Sequence, residues 1–157
     1  MTYVEMKAQT RFSDFGKDGF MHFSRCLMYF EKARFLIAKE AGLSRILKQS
    51  YPQKAVQFVI IKADVRYPEQ VPVSYDRDGE EKLVVRSTLI PPFVSKLAFV
   101  QELADSSTGQ VLIHADIDVA LLLEGEGLVS SMNEACRRCL QDYYDAVEAS
   151  AARRVLS

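Results

Sequence analysis

The sequence predicts an α+β fold in which one long, buried helix is wrapped by a curved antiparallel sheet of about five strands. Apolar residues recur at helical spacing between residues 23 and 41, which indicates a helix that buries one face. From residue 57 to residue 123 the apolar period changes to two, and short turns separate the segments, as in an antiparallel sheet. A second helix is expected to pack outside this core.

The composition is typical of a single globular domain, here residues 1–157. The chain is 48% hydrophobic and 26% charged, and its 20 basic and 21 acidic side chains leave a formal charge of -1. This balance gives no electrostatic reason to expect binding to nucleic acid or to an anionic membrane. The sequence has no apolar run of membrane-spanning length and no signal-peptide pattern at its N-terminus, so we expect a cytoplasmic protein.

Three cysteines, Cys26, Cys136 and Cys139, occur in a chain without a secretion signal. An odd count in this context indicates reduced thiols rather than a disulfide framework. Cys136 and Cys139 form a CxxC within a helical pattern, but no second CxxC and no histidine lies nearby in the sequence. We therefore expect helix cysteines rather than a zinc or redox site, and we expect no metal and no cofactor.

The first part of the chain supplies one strand and the central helix. Residues 4–12 are compatible with a first strand, and the loop that follows carries two glycines and two aspartates. The central helix is predicted over residues 23–41, with Ser24 as its N-cap and Gly42 in the left-handed conformation of a C-cap. Residues 44–54 are expected to form an irregular or short helical link.

Four further strands are predicted by alternation, over residues 57–66, 82–90, 96–104 and 110–123. A turn is expected at residues 76–79. In the first of the four strands an apolar face lies opposite a charged one, and the apolar face consists of Val59, Ile61, Ala63 and Val65.

The strand over residues 110–123 has the most regular pattern. Every odd-numbered position from 111 to 123 is apolar, whereas His114, Asp116 and Asp118 face the other way. A solvated sheet face explains these three polar side chains better than a metal site does, because the opposite face is fully apolar.

A final helix is predicted over residues 131–152. Ser130 and Ser131 are both suitable N-caps. The apolar positions of this segment alternate with many charges, so its face fits either peripheral packing or a dimer contact.

The stretch from Arg11 to Arg34 resembles the opening of a known family. The residues Arg11-Phe12-Ser13-Asp14, then Gly19, then Tyr29-Phe30-Glu31-x-Ala33-Arg34 follow without a gap the pattern RFSDTDxxGHVNNxxYxxYFExAR. That pattern is typical of hotdog-fold proteins of the 4-hydroxybenzoyl-CoA thioesterase type, and the order of strands also fits. The resemblance implies a long helix wrapped by the sheet and a homodimer or homotetramer with sheets joined edge to edge. It further implies cleavage of an acyl thioester of coenzyme A or of an acyl carrier protein.

In this family the N-terminus of the central helix polarises the thioester carbonyl. Unpaired backbone N–H groups and the positive end of the helix dipole suit that task. In this sequence the backbone N–H of Phe23 would take that position. The substrate-binding residues implied on the same stretch are Gly16, Gly19, Phe20, Met21 and Tyr29.

The sequence departs from the family at its usual catalytic carboxylate. The second Asp of the family's SDTD falls on Gly16, which can neither attack a carbonyl nor accept a proton. Asp18 lies two residues further on and is a candidate replacement, with His22 as a base near neutral pH. The alternative for both is structural, since an Asp beside Gly is ordinary turn chemistry and a His at a helix start can face solvent or close a cap.

Arg34 is a candidate of a different kind. Hotdog thioesterases of enediyne polyketide pathways resemble this stretch, lack the loop carboxylate and have an arginine matching Arg34 in their active site. A guanidinium can bind an anionic group or stabilise an oxyanion. The structural alternative is an ion pair with Glu31 on the adjoining turn. Asp14 is expected to brace the loop, and Glu31 is a weaker candidate base.

The sequence is therefore compatible with two classes of function. The first is an acyl thioesterase with an altered catalytic set, in polyketide or other secondary metabolism. The second is a non-catalytic hotdog module that binds an acyl chain or scaffolds a complex. They differ in whether Asp18, His22 or Arg34 points into the cleft at the helix N-terminus.

Overall fold

The computed structural model describes residues 3–76, 82–150 and 154–156 of the chain. The helices are α1 (Phe23–Ala41), α2 (Leu43–Ser50) and α3 (Glu134–Ala149). The strands are β1 (Val4–Lys7), β2 (Val56–Arg66), β3 (Leu83–Ile90), β4 (Leu97–Asp105), β5 (Val111–Leu123), β6 (Gly127–Leu128) and β7 (Arg154–Val155). The apolar side of the sheet and the three helices enclose one core.

The described strands form one sheet in the spatial order β2-β5-β4-β3-β1-β7, with β6 paired to β5. Each pair of neighbours is antiparallel except β1 and β7, which run parallel. The predicted α+β fold, with a long central helix and an antiparallel sheet, is confirmed. The two-residue strands β6 and β7 lie beyond what periodicity predicts, because two residues carry no period.

Helix α1 buries one stripe of its side chains against the sheet. Gly42 ends the helix with a φ of 80°, and its N–H donates to the carbonyls of Ala38 and Lys39. The predicted left-handed C-cap is therefore confirmed. The buried residues of the stripe recur at helical spacing and are Cys26, Phe30, Ala33, Ile37 and Ala38.

The N-cap of α1 differs from the predicted one. His22 is the N-cap residue, with φ -64° and ψ 134°, and Ser24 lies inside the helix. The backbone N–H of His22 donates to the carbonyl of Asp14 at 2.8 Å, which holds His22 extended and makes Phe23 the first helical residue. The prediction of Ser24 as the cap is wrong because a hydrogen bond from the preceding loop determines where the helix begins.

Strand β5 alternates as predicted, with its odd-numbered positions turned to the core. Strand β2 does not, because its pairing with β5 shifts between Ile60 and Lys62 and leaves Ile61 as the extra residue of a β-bulge. Ile60 and Ala63 therefore both line the cleft beneath α1. The predicted apolar face of β2 is correct after the bulge and wrong before it, for Val59 and Ile61.

Two predicted segments near α1 also differ. Strand β1 ends at Lys7 rather than at residue 12, because Phe12–Asp14 form a 3-10 turn that starts the loop. The link after α1 is helical over Leu43–Ser50. Residues 77–79 of the predicted turn, and the last two residues of the predicted final helix, 151–152, lie outside the described residues.

The N-cap residue of helix α3 is Asn133. The side-chain Oδ1 of Asn133 accepts the backbone N–H of Cys136 at 2.9 Å. The prediction of Ser130 or Ser131 as the cap is therefore wrong, because a third residue capable of capping lies closer to the first helical turn.

Replacing Phe30 by Ala tests the central packing of α1. Phe30 is 0% exposed, so Phe30→Ala is expected to lower the free energy of unfolding by about 3–5 kcal/mol. Urea denaturation followed by circular dichroism measures this change. Phe12 is 78% exposed, so Phe12→Ala is the matched control and should change stability by less than about 0.5 kcal/mol. Equal losses in the two variants would contradict the described burial.

Candidate active site

The loop before α1 is held by a buried carboxylate. Asp14 is 5% exposed. Its Oδ2 accepts the backbone N–H of Arg11 at 2.9 Å and the hydroxyl of Tyr29, and Nε of Arg25 lies 3.6 Å from its Oδ1. Burial of a carboxylate is unfavourable without such partners. Asp14 therefore stabilises the loop from inside, because its carboxylate contacts other residues of the protein rather than solvent.

The side chain of Asp18 fills the space beside Gly16. A Cβ atom added to Gly16 would lie 2.9 Å from Oδ1 of Asp18 and 3.1 Å from Cε1 of His22. Oδ1 of Asp18 also accepts the backbone N–H of Phe20 at 3.1 Å, which is ordinary turn chemistry. Asp18 and His22 are both solvent-exposed. A carboxylate and an imidazole thus meet at the position where the side chain of residue 16 would begin.

The N-terminus of α1 opens beside this pair. The side chain of His22 makes no capping hydrogen bond. Within the described residues, neither the backbone N–H of Phe23 nor that of Ser24 has an acceptor. These donors, together with the positive end of the helix dipole, can stabilise a negatively charged oxygen.

Three adjoining cavities follow α1 from this end. The first, of about 240 Å³, lies beside Asp18, and the second, of about 350 Å³, shares Phe23 and Tyr67 with it. The third, of about 290 Å³, shares Arg34 and Ile60 with the second and reaches α3. Most of the lining side chains are apolar. The cleft between α1 and β2 therefore suits a long apolar group.

The rings of Phe23 and Tyr67 separate the first cavity from the second. Their centroids are 5.1 Å apart and their planes are tilted by 57°. Burial raises the pKa of Tyr67 to about 12, so its hydroxyl stays neutral at physiological pH. Sequence reasoning missed Tyr67, because a Tyr-Pro pair after a strand is a normal way to end that strand.

Arg34 is half-buried where the second and third cavities meet. Its Nη1 donates to Oε1 of Gln101 at 2.9 Å. Gln101 is 0% exposed, and its Nε2 donates to the carbonyl of Phe30 at 3.0 Å and to Oγ of Ser87 at 2.9 Å. Burial lowers the pKa of the Arg34 guanidinium, and the charge of Glu31 partly opposes this. The hydrogen bond of Arg34 goes to a neutral amide and not to Glu31.

Gln101 was not singled out by the sequence reasoning, yet the sequence contains a signal for it. Strand β4 alternates between buried and half-buried positions, and Gln101 stands at a buried one between Phe99 and Leu103. A polar residue in the inward series of an apolar strand requires a hydrogen-bond partner inside the core. That partner comes from α1, which local periodicity does not reveal.

The remaining predicted site residues take different positions. Phe20 and Met21 line the first cavity. Gly19 has a φ of 84°, a conformation that glycine adopts without strain, and it turns the chain between Asp18 and Phe20. Tyr29 lines none of the three cavities, since its hydroxyl donates to the buried carboxylate in the loop.

Outside the cleft, the polar groups of the described residues form no comparable site. On the outer face of β5, His114 Nδ1 lies 3.3 Å from Glu102 and its Nε2 lies 3.4 Å from Asp116. Among the described residues, no group of three or more His, Cys, Asp or Glu side chains is arranged to hold a metal ion. None of the helices in the described ranges combines the length and the apolarity needed to cross a bilayer.

The cysteines are structural. Cys26 is 1% exposed, and burial raises its pKa to about 12, so its thiol stays protonated although it lines the first cavity. Sγ of Cys139 donates to the carbonyl of Ala41 at 3.0 Å, and Cys136 is buried. A protonated, buried thiol cannot serve as the nucleophile of the cleft.

The sequence matches no protein-family model and no curated protein. Solved structures do resemble it. A DHNA-CoA thioesterase from Staphylococcus aureus has a TM-score of 0.71 at 14% identity, with 100% of each chain covered. A hypothetical protein from Staphylococcus aureus in complex with CoA has a TM-score of 0.71 at 12% identity, over 91% of this chain and 84% of the other. The dynemicin thioesterase, whose structures concern polyene binding, has a TM-score of 0.69 at 15% identity, over 90% and 96%.

These similarities concern the fold. Likeness over nearly the whole of each chain, together with the central helix and the strand order, establishes a hotdog fold like that of the named thioesterases. At identities of 12% to 15%, the same likeness carries no information about individual side chains. The chemistry of the cleft therefore depends on its own residues.

The state of Cys26 is testable by alkylation. Because burial holds its pKa at about 12, Cys26 should react with iodoacetamide far more slowly in the folded protein than in guanidinium chloride at the same mildly alkaline pH. Peptide mass mapping over time measures both rates. The denatured sample serves as the control for intrinsic reactivity. Rapid labelling of Cys26 in the folded protein would mean that this thiol is accessible and ionisable, contrary to the described packing.

Proposed function

We propose that this protein is an acyl thioesterase that hydrolyses a thioester of coenzyme A or of an acyl carrier protein. The observation that carries the proposal is the carboxylate of Asp18, which lies beside the uncapped N-terminus of α1 and lines the first cavity. The hotdog fold shared with several named thioesterases is consistent with it. The three free thiols fit a reducing, cytoplasmic compartment.

The thioester carbonyl is bound at the N-terminus of α1. The backbone N–H of Phe23, assisted by that of Ser24, donates to the carbonyl oxygen and stabilises the negative charge that develops on it during attack. One such donor is typically worth about 3 kcal/mol of transition-state stabilisation. The acyl chain then extends along the apolar cleft between α1 and β2, past the rings of Phe23 and Tyr67.

Asp18 serves as the general base. Its carboxylate takes a proton from a water molecule while the water oxygen bonds to the thioester carbon. When the carbon–sulfur bond breaks, the departing thiolate receives that proton, so the products are a carboxylic acid and a thiol. His22, whose Cε1 would lie 3.1 Å from a Cβ atom at residue 16, borders the same space, and its imidazole can hydrogen-bond the attacking water.

The arrangement around Gly16 supports a catalytic role for Asp18, two residues after the position at which the family pattern has its carboxylate. A Cβ atom at residue 16 would lie 2.9 Å from Oδ1 of Asp18, so the carboxylate would have to move from its present position. Glycine at residue 16 leaves that position free for the carboxylate of Asp18. Besides the buried Asp14, the loop therefore presents one exposed carboxylate beside the helix N-terminus, from residue 18 instead of residue 16.

Two alternatives remain as competing proposals. An enediyne-type releasing thioesterase would use Arg34 with the helix N-terminus and no carboxylate. The backbone of Arg34 lies about 16 Å from Phe23 along the helix axis, and its guanidinium, held by Gln101 at the level of the Phe30 carbonyl, is still about 10 Å from the helix N-terminus. A non-catalytic module that binds an acyl chain would need only the apolar cleft. The exposed carboxylate of Asp18, directed into the first cavity, favours the hydrolase over both.

A homodimer joined through β2 is part of the proposal. Strand β2 lies at one end of the sheet and pairs only with β5 among the described strands. Its side chains are exposed or half-buried throughout, with Ile60 54% and Ile61 49% exposed. An apolar edge strand of this length invites pairing with a second copy. The dimer would also cover the open side of the cleft, and two dimers joined together would give a tetramer.

Hydrolysis is tested first with Asp18. Thiol release from a panel of acyl-CoA and acyl carrier protein thioesters should fall on the order of a hundredfold or more in Asp18→Asn, because the amide cannot accept the proton. The double variant Gly16→Asp with Asp18→Ala should recover part of the lost rate, since the alanine frees the space that the new carboxylate needs.

Asp145→Asn on α3 is the matched control, because Asp145 is exposed and hydrogen-bonds only Gln141 in the described structure. Its rate should equal that of the wild type. An Asp18→Asn variant that keeps the wild-type rate would remove Asp18 from the mechanism. A wild-type protein that releases thiol from no thioester of the panel would favour the acyl-binding module.

The dimer is tested by sedimentation equilibrium. The wild type is expected to sediment at twice the mass of the chain, and Ile61→Lys should shift it to the monomer because a charge at the centre of β2 disfavours edge pairing. Val94 is 44% exposed on the loop between β3 and β4 and is not part of the β2 edge, so Val94→Lys is the control and should stay dimeric. A monomeric wild type at micromolar concentration would refute the dimer.

A further inference from the structure

Arg34 introduces a charged donor into the middle of an apolar cleft. Its guanidinium lies where the second and third cavities join, and its neighbours along the wall include Leu27, Phe58 and Ile60. A guanidinium carries five N–H donors. Within the described residues its one hydrogen bond goes to Gln101, so the remaining donors are available to a bound molecule.

The buried amide of Gln101 holds this guanidinium in place. A completely buried amide is unfavourable unless it is hydrogen-bonded, and Gln101 bonds Arg34, the carbonyl of Phe30 and the hydroxyl of Ser87. An apolar side chain such as Leu103, two residues further along β4, would fill the same layer without needing partners. The network therefore orients Arg34 rather than merely packing the core.

The distance along α1 decides what Arg34 can reach. Gln101 contacts both Arg34 and the carbonyl of Phe30, which lies two turns beyond Phe23. At 1.5 Å of rise per residue, the guanidinium stands about 10 Å from the helix N-terminus. A hydrogen bond spans about 3 Å. Arg34 therefore cannot touch a thioester carbonyl held by Phe23, and it meets a later part of the chain in the cleft.

The local charge favours a neutral partner. Glu31 is exposed, lines the third cavity together with Arg34 and partly compensates the positive charge. A carboxylate on the bound chain would be attracted by Arg34 and repelled by Glu31. A carbonyl or hydroxyl oxygen accepts a hydrogen bond from the guanidinium without that repulsion, and a charged donor makes this bond stronger than a neutral one would.

We propose that the cleft selects acyl chains that carry a carbonyl or hydroxyl oxygen part-way along their length, and that Arg34, positioned by Gln101, is the residue that recognises this oxygen. The proposal rests on the thioesterase function proposed above and names the substrate class for the same site. A fully saturated chain would leave the donors of Arg34 without an acceptor in a largely apolar cleft, and such a mismatch discriminates strongly.

The test uses decanoyl-CoA and a set of its isomers that carry one keto group, moved stepwise from the β carbon towards the chain end. The kcat/KM of the wild type should peak at an isomer with the keto group in the middle of the chain, at roughly tenfold or more above decanoyl-CoA. In Arg34→Met, which keeps the length but removes the donors, the ratio should fall to about one. Arg34→Lys should keep part of the preference, and Arg45→Met on α2 should keep all of it.

Non-hydrolysable thioether analogues of the same isomers separate the two proposals. Titration calorimetry of these analogues measures the preference whether or not the protein turns over any thioester. A preference for mid-chain keto isomers in binding, together with no turnover of any thioester, would refute the proposed thioesterase function and support this inference. Equal or weaker binding of every keto isomer relative to the saturated chain would overturn the inference. So would a mid-chain preference that survives in folded Arg34→Met, or a carboxylate that binds more tightly than the keto group at the same carbon.

Discussion

Helix α1 can bury its apolar stripe only by lying against the sheet, and this constraint determines where the other parts of the molecule stand. The stripe ends at Cys26 on one side and at Ala38 on the other. The N-terminus of the helix consequently emerges beside the loop, and the C-terminal half lies over the end of the cleft near α3. The backbone donors of the first turn and the apolar wall are two consequences of one packing arrangement.

The elements with a strong, uninterrupted period could be predicted from the sequence. Helix α1 and strand β5 are of this kind, because their side chains face a single core along their whole length. Strand β2 could be predicted only in part, since the bulge at Ile61 reverses the phase and leaves no local signal. The N-cap of α1 was missed for a similar reason. A bond between the N–H of His22 and the carbonyl of Asp14 is a tertiary contact.

The same distinction applies to the candidate site. The glycine at residue 16 and the nearby acidic residue at 18 are visible in the sequence once the motif is aligned. That the Asp18 carboxylate occupies the space beside Gly16 is visible only in three dimensions. The partner of Arg34 could not be predicted, since Gln101 lies 67 residues away and its amide reaches α1 across the core. Helical spacing indicates only the ion pair with Glu31, the nearest opposite charge on the helix, as a structural alternative for Arg34, and it carries no information about the sheet beneath.

The two polar side chains of the cleft, Asp18 and Arg34, have different environments, and this difference suits them to different functions. Asp18 is exposed, and its one hydrogen bond in the described structure goes to the backbone N–H of Phe20, so its carboxylate can move and is accessible to water. Arg34 is desolvated and fixed by an amide that is itself completely buried, so its direction is set before anything binds. A mobile carboxylate suits a step in which a proton changes place, whereas a preorganised donor suits recognition. Chemistry at the helix N-terminus and selection along the helix can therefore change independently of each other, because no hydrogen bond in the described structure links Asp18 to Arg34.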